Sequence, residues 1–208
     1  MISRRSFSTA AGALFCIVMF GTGPARAAEI VEPVAFIEDI GREAISSLTE
    51  RELSIQERQA RFRKIFKRAF DIRTIARFSL GRYWRITSKP EREEYVGLFE
   101  DFIVQAYAHR FKDYNGESFE VGKVHQINDR DTLVLSKLRR PQGPPIQDHW
   151  RVRASRELKI VDVVIEGISM AVTQRAEFKS VVKRHGIDGL IQILDAHSNK
   201  LSATAAAN

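Results

Sequence analysis

Histidines, cysteines and carboxylates are the residues from which this 208-residue chain would build a catalytic or metal site. The five histidines are His109, His125, His149, His185 and His197. They show neither His-x-His nor His-Glu-x-x-His spacing, so converging metal ligands cannot be read. The one cysteine, Cys16, lies in a segment read below as a cleaved leader. There is no Gly-x-Ser-x-Gly nucleophile elbow and no glycine-rich phosphate loop after a strand. Acid–base chemistry would have to rest on scattered groups such as His149, Asp162 and Tyr83. A curved sheet with helices can host such a pocket, as in small isomerases. A lone aspartate on a strand beside Lys159 is, however, more often an edge or turn partner than a general base. The sequence assigns no catalytic residue, no metal and no cofactor.

A second candidate is the basic run Arg58, Arg61, Arg63, Lys64, Lys67 and Arg68. Its plain reading is the solvated face of an amphipathic helix. Its functional reading is contact with anionic headgroups or an acidic partner. The apolar stripe of the same helix is needed for the core, which favours the solvated face.

The elements that must position these groups fall into two halves. Pro33 opens a helix with Val34, Ile37, Ile40, Ile45 and Leu48 at helical spacing. Ser54-Ile55-Gln56-Glu57 is a capping box, followed by a stripe of Ile55, Phe62, Phe66 and Phe70. A shorter helix runs from Asp71 to Gly81. Ser88-Lys89-Pro90-Glu91 is a second capping box, with proline in the first turn of a long helix to about Lys112. After Tyr114-Asn115-Gly116 the period changes. Residues 118–127, 131–140, 146–154 and 158–166 read as four strands with short links, an antiparallel meander. Two helices, about 171–185 and 187–200, close the chain around Gly186. The fold class is α+β, with helices gathered against one curved sheet.

The long helix has more apolar surface than one core requires. Tyr95, Leu98, Phe99, Phe102, Ile103, Ala106, Tyr107 and Phe111 exceed the three or four apolar positions per two turns of an ordinary surface helix. The last strand, with Ile160, Val161, Val163, Val164 and Ile165, is apolar on both sides, as if both sheet faces were covered. Composition alone is satisfied by a dense core; a helix lining a cavity is the alternative.

The N-terminus has the layout of a secretory signal: Arg4-Arg5, an apolar stretch from Ala10 to Phe20, then Ala25-Arg26-Ala27. Ser3-Arg4-Arg5-Ser6-Phe7 resembles the twin-arginine subclass, whose cargo crosses already folded. Residues 1–27 are expected to leave, 28–201 to form one domain and 202–208 to be a flexible tail. Phe15 before Cys16 excludes a lipobox. Three of the 33 basic residues and none of the 26 acidic ones leave with the signal, reducing the formal charge from +7 to +4. The expected location is the periplasm. There a mild basic excess points to membrane surfaces or acidic partners and not to nucleic acid.

Several motifs together resemble the MlaC (toluene-tolerance) family of periplasmic phospholipid carriers. They are Leu80-Gly81-Arg82-Tyr83-Trp84, Ser88-x-Pro90-Glu91-Arg92-x-Glu94-Tyr95, Phe99, Gln105-Ala106-Tyr107, Tyr114-x-Gly116 and Trp150. Asp162 to Met170 and Gly186-Ile187-Asp188-Gly189-Leu190 complete the set, which spans about residues 60 to 195. One branch of that family is associated with hopanoid lipids, and these residues do not separate it from the phospholipid branch. The resemblance implies an NTF2-like four-stranded antiparallel curved sheet, a layer of about six helices and an apolar cavity between them. It implies a carrier, with no catalysis, no metal and no cofactor. The implied partners are an outer-membrane lipoprotein–porin complex and an inner-membrane ABC transporter with an MCE-domain ring, and the implied role is maintenance of outer-membrane lipid asymmetry. A small-molecule enzyme on the same fold is the rival reading. The lining expected from the resemblance is Ile72, Ile75, Phe78, Trp84, Phe99, Ile103, Tyr107, Trp150, Val152, Ile160, Val164 and Met170. Arg82 and Arg85 are candidates either for headgroup contact or for capping nearby helix carbonyls.

Overall fold

The computed structural model describes residues 25–206, with side chains described from residue 32 to residue 199. Residues 1–24, which hold nearly all of the expected export signal, lie outside the described residues. Five helices are present: α1 (Ala25–Leu48), α2 (Ile55–Ala69), α3 (Ile72–Leu80), α4 (Lys89–Ala108) and α5 (Met170–Ala206). Short 3₁₀ turns, Gly81–Arg85 and His109–Asp113, follow α3 and α4. The strands β1 (Ser118–Gln126), β2 (Asp131–Arg139), β3 (Ile146–Ala154), β4 (Leu158–Ile165) and β5 (Ile168–Ser169) form one antiparallel meander in sequence order.

Local chemistry sets the helix ends. The Ser54 hydroxyl accepts from the Glu57 amide at 3.2 Å, and the Glu57 carboxylate accepts from the Ser54 amide at 3.0 Å. Ser88 and Glu91 repeat the arrangement at α4, so both capping boxes satisfy N–H groups that have no partner within the helix. Asp71 caps α3 through the Thr74 amide at 3.0 Å. Gly186, at φ 72° and ψ −178°, breaks α5 into two helical segments where the sequence places the break. Pro33 lies inside α1 and not at its start. Proline is tolerated best in the first turn because its missing N–H is unpaired there; here the helix continues N-terminally at the cost of one ladder bond.

Arg58 departs from the expected solvated face. It is 1% exposed, and its guanidinium donates to the carbonyls of Leu48, Glu50 and Leu53. A buried arginine therefore closes the C-terminal end of α1 against α2, answering carbonyls that the helix leaves open. Other members of the basic run are paired at the surface: Arg61 with Glu50, Arg63 with Glu100 and Asp101, Lys67 with Glu100, and Arg68 with Glu43.

Two bulges shape the sheet. One lies between Val121 and Val124 of β1, where Val121 pairs with Ser136 and Val124 with Val134. The other lies in β4, where Arg151 pairs with Asp162 but Val152 pairs with Ile160, so Val161 is an extra residue. The chain between α2 and α3 docks there: the Asp71 amide donates to the Ile160 carbonyl at 3.0 Å, and Lys159 reaches the Arg68 carbonyl at 2.6 Å. No residue of β4 is fully exposed, so both of its faces are at least partly covered as expected, and the bulge adds Val161 to the buried set. The outer face carries exposed Glu120, Lys137 and Gln147, which pair side by side.

The apolar residues form two cores. One joins α3, α4 and α5 through Leu80, Trp84, Tyr95, Phe99, Phe178 and Leu190. The other joins α1 and α2 to the sheet through Ile37, Leu48, Ile65, Val134, Val152 and Ile160. At one end of the sheet, Asp131, 2% exposed, takes Arg151 and Arg153. Hydrogen bonds from Arg153 and Arg151 hold its carboxyl well below the usual carboxylate range.

Arg58→Met keeps most of the apolar stem but removes the donors to three carbonyls. It should lower unfolding stability by about 2 kcal/mol in denaturant melts, in line with losing buried charge-assisted bonds. Arg61→Met, on the exposed side, should change it by less than about 0.5 kcal/mol.

Candidate functional site

Between the two cores lies a cavity of about 570 Å³ that protein side chains leave unfilled. Helix α2 supplies Phe62 and Phe66, four residues apart and therefore on one face, and Phe70 follows at its C-terminal cap. Their rings follow one another, Phe62 stacked on Phe66 at 6.0 Å and Phe66 tilted against Phe70 at 4.8 Å, and Phe62 meets Phe111 at 5.9 Å. Helix α4 supplies Phe99, Ile103 and Tyr107 at the same spacing. The inner face of the sheet contributes Leu138, Ile146, Trp150, Val163 and Ile165; Ile45, Ile75, Met170 and Ala171 complete the apolar wall.

Helix α4 thus serves two environments. Tyr95, Phe99 and Phe102 face Phe178 of α5 with ring separations of 6.1, 6.2 and 6.0 Å, while Phe99, Ile103 and Tyr107 face the cavity. This is the wide apolar surface that the sequence shows.

The polar lining is confined mainly to one end. Arg110 and Asp113 lie on the 3₁₀ turn after α4, and Tyr114 and Glu117 lead into β1. Arg140 follows β2, and Asp148 stands near the start of β3. In an antiparallel meander the start of β1, the end of β2 and the start of β3 share one end of the sheet. That end is the rim. The pinning cluster of Asp131, Arg151 and Arg153 is at the opposite end.

Asp148 is the unusual polar group. It shares the inner face with Ile146 and Trp150, and its cross-strand partners are Ser136 and Ile165. The Ser136 hydroxyl is occupied, donating to the Asp148 carbonyl at 2.9 Å and accepting from the Trp150 indole at 2.8 Å. Burial pushes the Asp148 carboxyl up to about 6, and the Glu166 carboxylate adds to the shift while His149 opposes it. Asp162, by contrast, is committed. It accepts from the Ser169 hydroxyl at 2.6 Å and the Ala171 amide at 3.0 Å, capping the start of α5.

The structure brings Ile75, Phe99, Ile103, Tyr107, Trp150 and Met170 together on the cavity wall. The other expected lining residues lie elsewhere. Trp84 is buried in the helical core with Arg73 and Arg92 over its ring, and Ile72 packs on that core. Phe78 is 39% exposed beneath Arg175. Val152 and Ile160 are fully buried in the sheet core. Val164 falls on the outer face because of the bulge: strict alternation from Ile160 reaches Val164, but one extra residue shifts the inner set to Val163 and Ile165. Arg82 and Arg85 are not at the cavity; Arg82 lies on the Tyr83 ring, and Arg85 is exposed. The acid–base candidates do not converge either. His149 projects opposite to Asp148 and Trp150, Asp162 caps a helix and Tyr83 lies in the 3₁₀ turn after α3.

Sequence reasoning missed the phenylalanine face of α2, although its spacing was visible, by assigning it wholly to core. It also missed the rim charges Arg110, Arg140 and Asp148, for which no sequence signal exists.

The family model described as MlaC protein matches residues 38–196. A curated relative, the intermembrane phospholipid transport system binding protein MlaC of Haemophilus influenzae, is 26% identical over 117 residues. That match takes in 54% of this chain and 55% of the relative, so the chain spans about half the length of the curated protein it matches. A solved phospholipid-binding protein from Ralstonia solanacearum, in complex with a phospholipid, shares the fold with a TM-score of 0.72 at 19% identity. The likeness covers 81% of this chain and 97% of that one.

The weakened acidity of Asp148 has a testable sign. As pH rises from 4, the unfolded chain loses this proton first, so the folded state loses stability until about pH 6 and recovers none above it. Asp148→Asn should therefore raise the melting temperature at pH 8 and do so less at pH 4. Carboxyl-carbon NMR should place the Asp148 midpoint near 6, and Glu166→Gln should lower it.

Proposed function

The chain belongs to the MlaC family, and on that premise we propose that it is a periplasmic carrier that encloses the acyl chains of a phospholipid in the cavity. The observation that carries this reading is the polarised cavity: aromatic and aliphatic walls from α2, α4 and the sheet, with charge gathered at one end. A molecule with an apolar body and a charged head fits that distribution in one orientation. The tails lie along Phe66, Phe99, Ile103 and Val163, and the head lies at the rim by Arg110 and Arg140.

The energetics explain why an enclosed path is needed. At about 0.8 kcal/mol per buried CH₂, a lipid with about 30 methylenes resists entering water by roughly 24 kcal/mol. A carrier must replace that burial nearly in full, yet without a surplus that would prevent release. No nucleophile–base pairing or cofactor is needed for such a cycle, and the reading assigns neither. The donor and acceptor in this proposal are an outer-membrane lipoprotein–porin complex and an inner-membrane ABC transporter with an MCE-domain ring, so the carrier would help maintain outer-membrane asymmetry. Among the described residues no helix is long and apolar enough to cross a membrane.

Protein purified from a bacterial periplasm should carry co-bound phospholipid by native mass spectrometry and by extraction with chromatography. Repeatedly lipid-free protein that takes up nothing from vesicles would sink the proposal, and recovery of hopanoid alone would reassign the cargo. Val163→Asp should cut lipid occupancy at least fivefold with the circular dichroism retained, whereas Val164→Asp, one residue along, should leave it near wild type. Equal effects at the two positions would contradict the assigned wall.

A further inference from the structure

The rim carries both signs of charge. Arg110 lies over the Tyr107 ring at 4.8 Å and makes no ion pair among the described residues. Arg140 spends its Nε and one Nη on the Pro144 carbonyl, at 3.1 and 2.8 Å, and likewise has no acidic partner. Two guanidiniums without carboxylates of their own are apt for a phosphate diester.

The same rim holds Asp113, Glu117 and Asp148. One Glu117 oxygen accepts from the Asn115 amide at 2.7 Å, which fixes the side chain in place. The Asp148 carboxyl has no hydrogen-bond donor from its flanking or cross-strand neighbours: Ile146, Trp150 and Ile165 are apolar at that face, and the Ser136 hydroxyl is taken. A carboxyl held without a donor on an apolar wall costs free energy unless something brought to the cavity satisfies it. Arginines alone would receive any phospholipid. Arginines interleaved with carboxylates fit one that also carries N–H donors and a positive charge a few atoms from its phosphate.

We propose that the rim is a headgroup subsite for zwitterionic aminophospholipid, in which Arg110 and Arg140 take the phosphate and Asp148, with Glu117 and Asp113, takes a primary ammonium. This rests on the lipid-carrier reading and adds a specificity to it. A glycerol headgroup offers the phosphate but leaves the carboxylates facing uncompensated negative charge. A choline headgroup is positive but has no N–H to donate, so Asp148 stays without its hydrogen bond.

The full mature chain is incubated with vesicles of equal parts phosphatidylethanolamine, phosphatidylcholine and phosphatidylglycerol of identical acyl chains. The bound lipid is then counted by native mass spectrometry at pH 7.5. Wild type should enrich phosphatidylethanolamine at least threefold over each of the others. Asp148→Asn, which keeps the shape and removes the charge, should bring the ratio to near that of the vesicles. Glu117→Gln should reduce it partly. The charged and titratable groups around Asp148 are Glu166 and His149, which act on its carboxyl through space, and Asp113, Glu117, Arg110 and Arg140 on the same rim. Lowering the pH to 5 should therefore weaken enrichment in wild type more than in Asp148→Asn, which separates this carboxyl from its neighbours. Uptake in vesicle proportions, enrichment of phosphatidylglycerol, or a ratio unmoved by Asp148→Asn would overturn the subsite. No uptake of any lipid would overturn instead the carrier reading on which it rests. Should Asp148→Asn fail to fold, the wild-type ratio and the Glu117→Gln variant still decide.

Discussion

A strand's side chains alternate, and an inserted residue reverses which face each later one takes. In β4 that residue is Val161, and much of the architecture depends on where it falls. Before it, Ile160 packs into the sheet core. After it, Val163 and Ile165 turn to the cavity and Val164 turns away. The bulge also leaves the Ile160 carbonyl free of the regular ladder, and the Asp71 amide at the α2–α3 joint takes it. That one backbone contact fixes the end of α2, and with it the line of Phe62, Phe66 and Phe70 along the cavity. Strand parity and helix placement are therefore set at the same point.

Keeping a cavity open opposes the tendency of apolar groups to collapse together. Unfilled apolar volume costs stability, on the order of 20 cal/mol per Å³ in core-truncation experiments. This fold meets that cost by building a complete core on each side of the space. The α3–α4–α5 core buries Tyr95, Phe99 and Phe178 around one another, and the α1–α2–sheet core buries Ile37, Leu48, Val134 and Ile160. Neither depends on the cavity being narrow. Arg58 locks α1 to α2, and the Asp131 cluster ties β2 to β3 at the end away from the rim. The stiff parts thus flank the cavity and close one end, and the loops gather at the other.

Much of this was legible in residue order. Both capping boxes, the glycine break at Gly186, the strand boundaries and the two-sided face of α4 follow from local rules that act within a few residues. The motifs around Leu80–Trp84 and Asp162–Met170 pointed to the family. What escaped was non-local. A bulge is specified by what docks on it, here the Asp71 amide, so strict alternation chose Val164 where the fold uses Val163. Arg58 looked like one more member of a basic face, because nothing in its spacing announces the Leu48 carbonyl at the end of α1 and the Glu50 and Leu53 carbonyls of the connection after it. The rim charges are separated along the chain by loops and come together only when the meander closes. From the Leu80–Trp84 motif, Trp84 is expected on the cavity wall, whereas it stands in the helical core under two arginines.

The polar groups of the cavity differ in how far they are committed. A catalytic carboxylate must be free to exchange a proton with substrate, and Asp162 is not: the Ser169 hydroxyl and the Ala171 amide of α5 occupy it. Asp148 is free but stands without a base, a nucleophile or a helix N-terminus directed at it. A carboxyl so placed can accept from a donor or remain protonated, and in either state it only biases what rests against it. In the proposed carrier the apolar walls would supply affinity that grows with chain length and is indifferent to headgroup. Discrimination can then come only from the rim, where charges of both signs are exposed enough to be exchanged for water when the head departs. In the proposed carrier, separating the two tasks along one axis would let tight enclosure coexist with release, because the head could loosen before the tails move.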